Sequence, residues 1–143
     1  MAKATVLLVD DEEDFTATLA ERLETRGLDV DVSSNGPDAI ERVRDKTYDA
    51  LVLDLAMPGM DGIETMKRLL SENPDLQVIL LTGQGTLRKG VEAMSSGAME
   101  FLEKPADIDS LLEQIEKARA TRVLLAEKRV QRTIEDILRT KSW

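Results

Sequence analysis

Three carboxylates, a hydroxyl and an ammonium group follow short apolar runs in this sequence. The residues are Asp10, Asp11, Asp54, Thr82 and Lys104. Carboxylates crowded together repel one another, so they either take up protons or recruit a cation. Because the ligand atoms on offer are oxygens, the hard cation Mg²⁺ is the expected metal, and Mn²⁺ could replace it. Thr82 adds a hydroxyl donor and Lys104 a compact positive charge, so the set could also hold an anionic group.

Each of these residues, taken singly, has an ordinary structural explanation. Acidic residues near a helix start complement the helix dipole. A Thr after a strand often caps a turn, and a Lys before Pro is usually a solvated surface group. A common site is nevertheless the better interpretation, because all five residues fall where strands are predicted to end.

The elements that must position these residues are alternating strands and helices. Apolar runs predict strands at 5–9, 29–32, 50–53, 76–81 and 100–103, and helical periodicity follows each of them. This alternation predicts an α/β fold, a parallel sheet covered by helices on both faces. If the sheet is the flavodoxin-like, doubly wound (βα)5 sheet with strand order 2-1-3-4-5, strands one and three are neighbours. Because the carboxyl ends of parallel strands meet at one edge of a sheet, the five polar residues are expected to converge there.

Composition excludes several classes of function. The chain has 143 residues, the size of one ordinary domain, and it contains neither Cys nor His. Disulfide frameworks, thiolate zinc sites and imidazole catalysis are therefore excluded. The net charge of −9 argues against direct binding of nucleic acid, which requires clustered Lys and Arg. No apolar run is long enough for a signal or membrane segment, so no membrane association and a cytoplasmic location are expected.

The ordered motifs resemble the receiver domain of two-component response regulators, a CheY-like module of bacterial signalling. The resemblance covers residues 4–118 and rests on four motifs: Asp10-Asp11, Asp54 followed by Met57-Pro58-Gly59-Met60-Asp61-Gly62, Thr82-Gly83, and Phe101-Leu102-Glu103-Lys104-Pro105. The separations also suit the family, with 43 positions from Asp11 to Asp54, 28 from there to Thr82 and 22 on to Lys104.

The resemblance implies a phosphoacceptor in a His–Asp phosphorelay. Asp54 would accept a phosphoryl group from a sensor histidine kinase or a phosphotransfer protein. Asp11, Asp54 and the backbone carbonyl of Ala56 would hold Mg²⁺, and Asp10 would act through the waters of the metal. Such a protein is a signalling receiver that catalyses its own phosphorylation and dephosphorylation, and it is not an enzyme in the ordinary sense.

The resemblance also implies a switch. Lys104 would offset the charge of the transferring group, and Thr82 would bind a phosphoryl oxygen. Phe101 would follow Thr82 inward and change the face formed by helix four, strand five and helix five. The Lys104–Pro105 peptide is expected to be cis, as in the family.

Two alternative functions fit the same residues less well. A Mg²⁺-dependent phosphotransferase or phosphatase of the haloacid-dehalogenase type also uses an Asp nucleophile, but it requires a second Asp where Ala56 stands. A receiver-like scaffold that is never phosphorylated would have lost one of the five site residues, and none is lost.

The receiver domain is predicted at 1–118, followed by a helical extension or linker at 119–143. The extension carries Val123, Val130 and Ile137 at heptad spacing, which indicates an amphipathic helix. This helix could fold back on its own receiver or pair with a second chain. A homodimer is therefore expected either through the extension or through the face of helix four, strand five and helix five. The output remains open between a stand-alone regulator and the front part of a longer chain.

Overall fold

A computed structural model describes residues 3–55, 62–83 and 87–140 of the chain. Its five parallel strands form one sheet in the order β2-β1-β3-β4-β5, which confirms the predicted topology. The strands are β1 Thr5–Val9, β2 Asp29–Ser33, β3 Ala50–Asp54, β4 Val78–Thr82 and β5 Glu100–Glu103.

Helices connect the strands and cover both faces of the sheet. They are α1 Glu13–Thr25, α2 Gly36–Asp45, α3 Gly62–Glu72, α4 Leu87–Ser95 and α5 Ile108–Thr140. Asn35 begins α2 as its cap, since its side chain accepts a hydrogen bond from the Asp38 backbone N–H at 2.8 Å. Gly27 follows the end of α1 with a φ of 91°, a left-handed conformation that favours glycine.

Two apolar cores lie on opposite faces of the sheet. On one face, alternate strand residues such as Leu7 and Leu53 pack with α2, α3 and α4. On the other face, Leu8 and Val52 pack with α1 and α5. Burial on both faces explains why the strands are nearly continuous apolar runs, and it confirms the doubly wound fold.

Strand β4 begins two residues later than the sequence predicts. The backbone N–H of Leu76 bonds to Asn73 at 3.1 Å, and the Gln77 side chain donates to the Asp75 carbonyl at 2.9 Å. These local bonds belong to a turn, so the apolar character of Leu76 reflects burial and not strand pairing.

Helix α5 continues without a break through the predicted boundary at residue 118. Its first part buries Leu111, Ile115 and Ala118 against the sheet. Arg122 and Arg129 continue that row and form ion pairs with Asp49 and Asp75 respectively. Residues 119–140 thus continue the same 33-residue helix. No helix within the described ranges combines the length and apolar character needed to cross a bilayer.

Candidate functional site

Two carboxylates lie buried at the carboxyl ends of the two central neighbouring strands. Asp10 follows β1 and is 5% exposed, and Asp54 ends β3 and is 3% exposed. Val9 pairs with Leu53 in the sheet register, so the next residue of each strand enters the same space. The fold therefore holds two carboxylates together at the point where the connections from β1 and β3 diverge, the usual ligand position in such sheets.

Lys104 reaches these carboxylates from the loop after β5. Its Nζ lies 2.7 Å from Asp10 Oδ2, 3.2 Å from Glu12 Oε1 and 3.4 Å from Asp54 Oδ2. Its backbone N–H donates to the Thr82 carbonyl at 2.7 Å, which fixes the start of this loop against β4. The following Lys104–Pro105 peptide is cis, as expected.

The charge of Lys104 is stabilised by its neighbours. Burial alone would lower the pKa of its ammonium group, but the close Asp10 carboxylate and the attraction of Asp54 outweigh burial, and the pKa is raised. The side chain is 14% exposed and is a full positive charge at neutral pH. It offsets only part of the negative charge around it.

One carboxylate oxygen from each of Asp10, Glu12 and Asp54 lies within 4.8 Å of the other two, close enough for the three to share a divalent cation. Asp10 Oδ1 accepts from the Glu12 backbone N–H at 3.0 Å. Asp10 Oδ2 is buried and accepts no hydrogen bond of acceptable geometry from the described residues, despite the nearby ammonium group. A buried acceptor with spare capacity, in a set of oxygen donors with excess negative charge, fits Mg²⁺.

Asp11, a predicted metal ligand, is next to Asp10 in the sequence. Its side chain is exposed and does not belong to this cluster, whereas Glu12 does. Glu12 precedes α1 in an extended conformation and makes no side-chain cap, which leaves its carboxylate available to Lys104. Ala56, whose carbonyl is the third predicted ligand, lies outside the described residues. The metal roles of Asp11 and Ala56 stay predictions.

Thr82 and Phe101 lie on the β4–β5 side of the site. Thr82 ends β4, is buried, and its hydroxyl makes a long 3.5 Å contact with the Leu102 carbonyl. Phe101 is partly buried, and its ring faces α4 at Gly90, where an added Cβ would lie 3.3 Å from the ring. The two residues thus link the pocket to the α4–β5 surface.

Glu12 and Phe15 are two members of the site that the sequence analysis missed. The Phe15 ring centroid is 4.4 Å from Lys104 Nζ, within the range of a cation–π contact. Glu12 could have been predicted from the sequence, because it directly follows Asp10 and Asp11. Phe15 recurs with Leu19 and Leu23 at four-residue spacing, a pattern that indicates only a core-facing helix residue.

Comparison with known proteins agrees with this geometry. Residues 6–116 match the family model of the response regulator receiver domain. Among curated relatives, the transcriptional regulatory protein ZraR of Salmonella typhimurium is 36% identical over 118 residues, which is 82% of this chain and 27% of the relative. The chain thus spans about a quarter of the length of the curated relatives it matches.

Solved structures share the fold. A response regulator receiver domain protein from Clostridium thermocellum superposes with a TM-score of 0.81 at 29% identity, covering 85% of this chain and 98% of that one. A protein described as adenylate cyclase from Rhodopirellula baltica gives a TM-score of 0.82 at 26% identity, covering 99% of this chain and all of that one. The second match extends over the long C-terminal helix as well.

Proposed function

Since the chain belongs to the family of response regulator receiver domains, we propose that Asp54 accepts a phosphoryl group from a histidine kinase or a phosphotransfer protein. The observation that carries this proposal is the buried Asp54 carboxylate with Lys104 Nζ 3.4 Å away, at the carboxyl end of a central strand. The same geometry supports the proposal that this signalling module assists its own phosphorylation.

The proposed step is an in-line displacement at phosphorus. An Asp54 carboxylate oxygen forms the new O–P bond, the P–N bond to the donor imidazole breaks, and its electron pair stays on that nitrogen. Negative charge spreads over the three remaining phosphoryl oxygens during transfer. Lys104, already positioned by Asp10 and Asp54, faces that charge without reorganising.

Asp10, Glu12 and Asp54 are the residues that would hold Mg²⁺, with Asp11 as the further predicted ligand. The bound cation would neutralise charge on the transferring group. Without a bound metal ion, the described site has the one ammonium group of Lys104 and the three carboxylates of Asp10, Glu12 and Asp54. An incoming phosphoryl group would then meet net negative charge and be repelled.

The response to phosphorylation is proposed to pass through Thr82 and Phe101. The long contact of the Thr82 hydroxyl with the Leu102 carbonyl is weak, so a phosphoryl oxygen is a better acceptor for it. Movement of Thr82 changes the space beside Phe101, whose ring rests on α4 at Gly90. The surface formed by α4, β5 and α5 would then change with the charge on Asp54.

Phosphorylation with acetyl phosphate and Mg²⁺, read by intact mass, tests this proposal. One phosphoryl group should be added to the wild-type chain, and Asp54→Asn should abolish the addition. Asp75→Asn is a matched control, because it removes a carboxylate at the opposite end of the sheet, and it should be labelled like the wild type. Persistent stoichiometric labelling of Asp54→Asn would disprove the assignment.

The C-terminal half of α5 supports a second proposal, pairing with another copy of this chain. Its apolar stripe (Val123, Val130, Ile134 and Ile137) is between 40% and 60% exposed. Arg122 and Arg129 bind the receiver through a neighbouring face of the helix, so the stripe is turned away from its own domain. An amphipathic helix needs a cover for such a stripe, and a matching helix of a second copy supplies one.

Molar mass in solution, measured by light scattering on the full chain, tests the pairing. The wild type should dimerise at tens of micromolar, and the double variant Val130→Glu, Ile134→Glu should be monomeric. Leu124→Glu is the control, since Leu124 is 51% exposed but lies off the stripe. A wild type that stays monomeric with and without phosphorylation would rule out a dimerising extension.

Any proposal about partners other than a kinase rests on the relatives, and this chain covers only part of their length. ZraR is named as a transcriptional regulatory protein, and NtrC of Escherichia coli as a DNA-binding transcriptional regulator. We propose that the present segment receives the signal and itself binds no nucleic acid, as its net charge of −9 indicates.

A further inference from the structure

Among the residues that the structure describes, the Lys104 ammonium group has three carboxylates and one uncharged group as close partners. Three are the carboxylates of Asp10, Glu12 and Asp54. The fourth is the Phe15 ring, whose centroid lies 4.4 Å from Nζ. The negative face of an aromatic ring attracts a cation, and the attraction is stronger where water is excluded. At this distance the ring is a direct partner of the ammonium group.

We propose that Phe15 is a positioning residue for phosphoryl transfer, whose ring keeps the Lys104 ammonium beside Asp54 and away from solvent. This inference rests on the proposed function, because Lys104 acts on the phosphoryl group only if Asp54 accepts it. Phe15 itself touches no reacting atom and acts through Lys104.

The carboxylates alone do not determine where the ammonium group rests. The Glu12 side chain is 62% exposed and attracts Lys104 toward solvent, whereas Asp54 is buried and attracts it inward. An ammonium group on a four-carbon stem can move between them. The ring adds an attraction that is fixed in space, and it occupies volume that water would otherwise fill.

The ring is held firmly from behind. Phe15 lies in the first turn of α1 and packs against the core formed by α1, α5 and one face of the sheet. The space next to it is a void of only 10 Å³, lined by residues that include Leu8, Leu19 and Val52. That volume is about the minimum for one water molecule, so the ring has little room to move inward, away from Lys104.

Two substitutions separate the ring's charge distribution from its bulk. Phe15→Leu keeps an apolar side chain and removes the ring, and site-specific pentafluorophenylalanine at position 15 keeps the ring and removes its negative face. Both should phosphorylate about fivefold more slowly from acetyl phosphate than the wild type, as loss of one cation–π contact predicts. Leu23→Ala is the control, because it disturbs the same buried core without lining the cavity beside Phe15, and its rate should be unchanged while its melting temperature falls.

A second measurement does not depend on phosphorylation. In the metal-free wild type, the Lys104 Cε protons should show an upfield NMR shift caused by the ring, and Phe15→Leu should abolish it. An unshifted wild-type signal, or a folded Phe15→Leu variant that phosphorylates at the wild-type rate, would overturn the inference. A slow Phe15→Leu beside a fluorinated variant of normal rate would overturn the cation–π basis and assign the effect to packing. A wild type with the NMR shift but no labelling of Asp54 would contradict the proposed function alone.

Discussion

The two ends of the parallel sheet both carry buried carboxylates, but the proportion of cations to carboxylates differs. At the carboxyl end, within the described ranges, Asp10, Glu12 and Asp54 surround one ammonium group, that of Lys104. At the amino end, Asp49 is matched by Arg122 and Asp75 by Arg129. The first end has excess negative charge, and the second is balanced.

The balanced end also satisfies its hydrogen bonds. Asp49 Oδ1 accepts from Arg122 Nε at 2.7 Å, and Asp49 Oδ2 accepts from the Thr5 backbone N–H at 2.8 Å. Both oxygens of Asp49 therefore accept a hydrogen bond. Asp10 Oδ2, at the other end, accepts none of good geometry from the described residues. The difference indicates that charge-matched pairs hold the fold together at the amino end, and it supports the proposal that the excess negative charge at the carboxyl end serves a cation and a phosphoryl group.

The largest expected stability effect comes from breaking the balanced end. Asp49→Asn should lower the free energy of unfolding by about 3 kcal/mol, because it leaves the half-buried Arg122 without its charge partner. The new amide N–H₂ would also face one of the two donors, the Arg122 guanidinium or the Thr5 backbone N–H, in place of an acceptor. Phosphorylation of Asp54 should continue at the wild-type rate. Urea unfolding and acetyl phosphate labelling measure the two quantities, and a loss of labelling in the folded variant would show that the two ends are coupled.

Magnesium should stabilise the native state through the carboxyl end of the sheet and not through the amino end. At a hundredfold excess over Kd, a ligand of the native state stabilises it by about 2.7 kcal/mol. This gain should appear in the wild type and in Asp75→Ala, and it should vanish in Asp54→Ala. The prediction for Asp11→Ala is the same loss if Asp11 ligates the metal. Equal Mg²⁺ shifts of the melting temperature in wild type and Asp54→Ala would contradict the site.

Removing one carboxylate from the end with excess negative charge should have a smaller effect of opposite sign. In the absence of metal, Asp54→Asn should raise the free energy of unfolding by roughly 1 kcal/mol, since it relieves repulsion that Lys104 only partly offsets. Thermal unfolding in chelator measures this gain. A metal-free Asp54→Asn less stable than the wild type would mean that Lys104 fully compensates the carboxylates.

The smallest effect is expected at the outer pair of the balanced end. Arg129 contacts Asp75 through two nitrogens, at 2.5 and 3.0 Å, but its side chain is 59% exposed and solvent screens the pair. Arg129→Gln should therefore lower the melting temperature less than Asp49→Asn does. A larger loss would show that the outer pair, and not the inner one, anchors the extension.

Sequence alone determined the parallel βα architecture and the edge of the sheet where Asp10, Asp54 and Lys104 meet. Continuous apolar runs must be buried on both faces, and parallel strands necessarily bring their carboxyl ends to one edge. The heptad spacing of Val123, Val130 and Ile137 likewise predicted a helical extension. These features depend on local pattern and on the small number of ways in which βα units pack.

Tertiary structure decided which side chains meet at each end of the sheet. Glu12, and not Asp11, joins the described carboxylate cluster because of the direction in which the chain enters α1. Phe15 reaches Lys104 across 89 positions of sequence, and Arg122 reaches Asp49 across 73. Such contacts depend on helix rotation and on the path of α5 across the sheet, which are set by packing of the whole core and leave no periodic signal in the sequence.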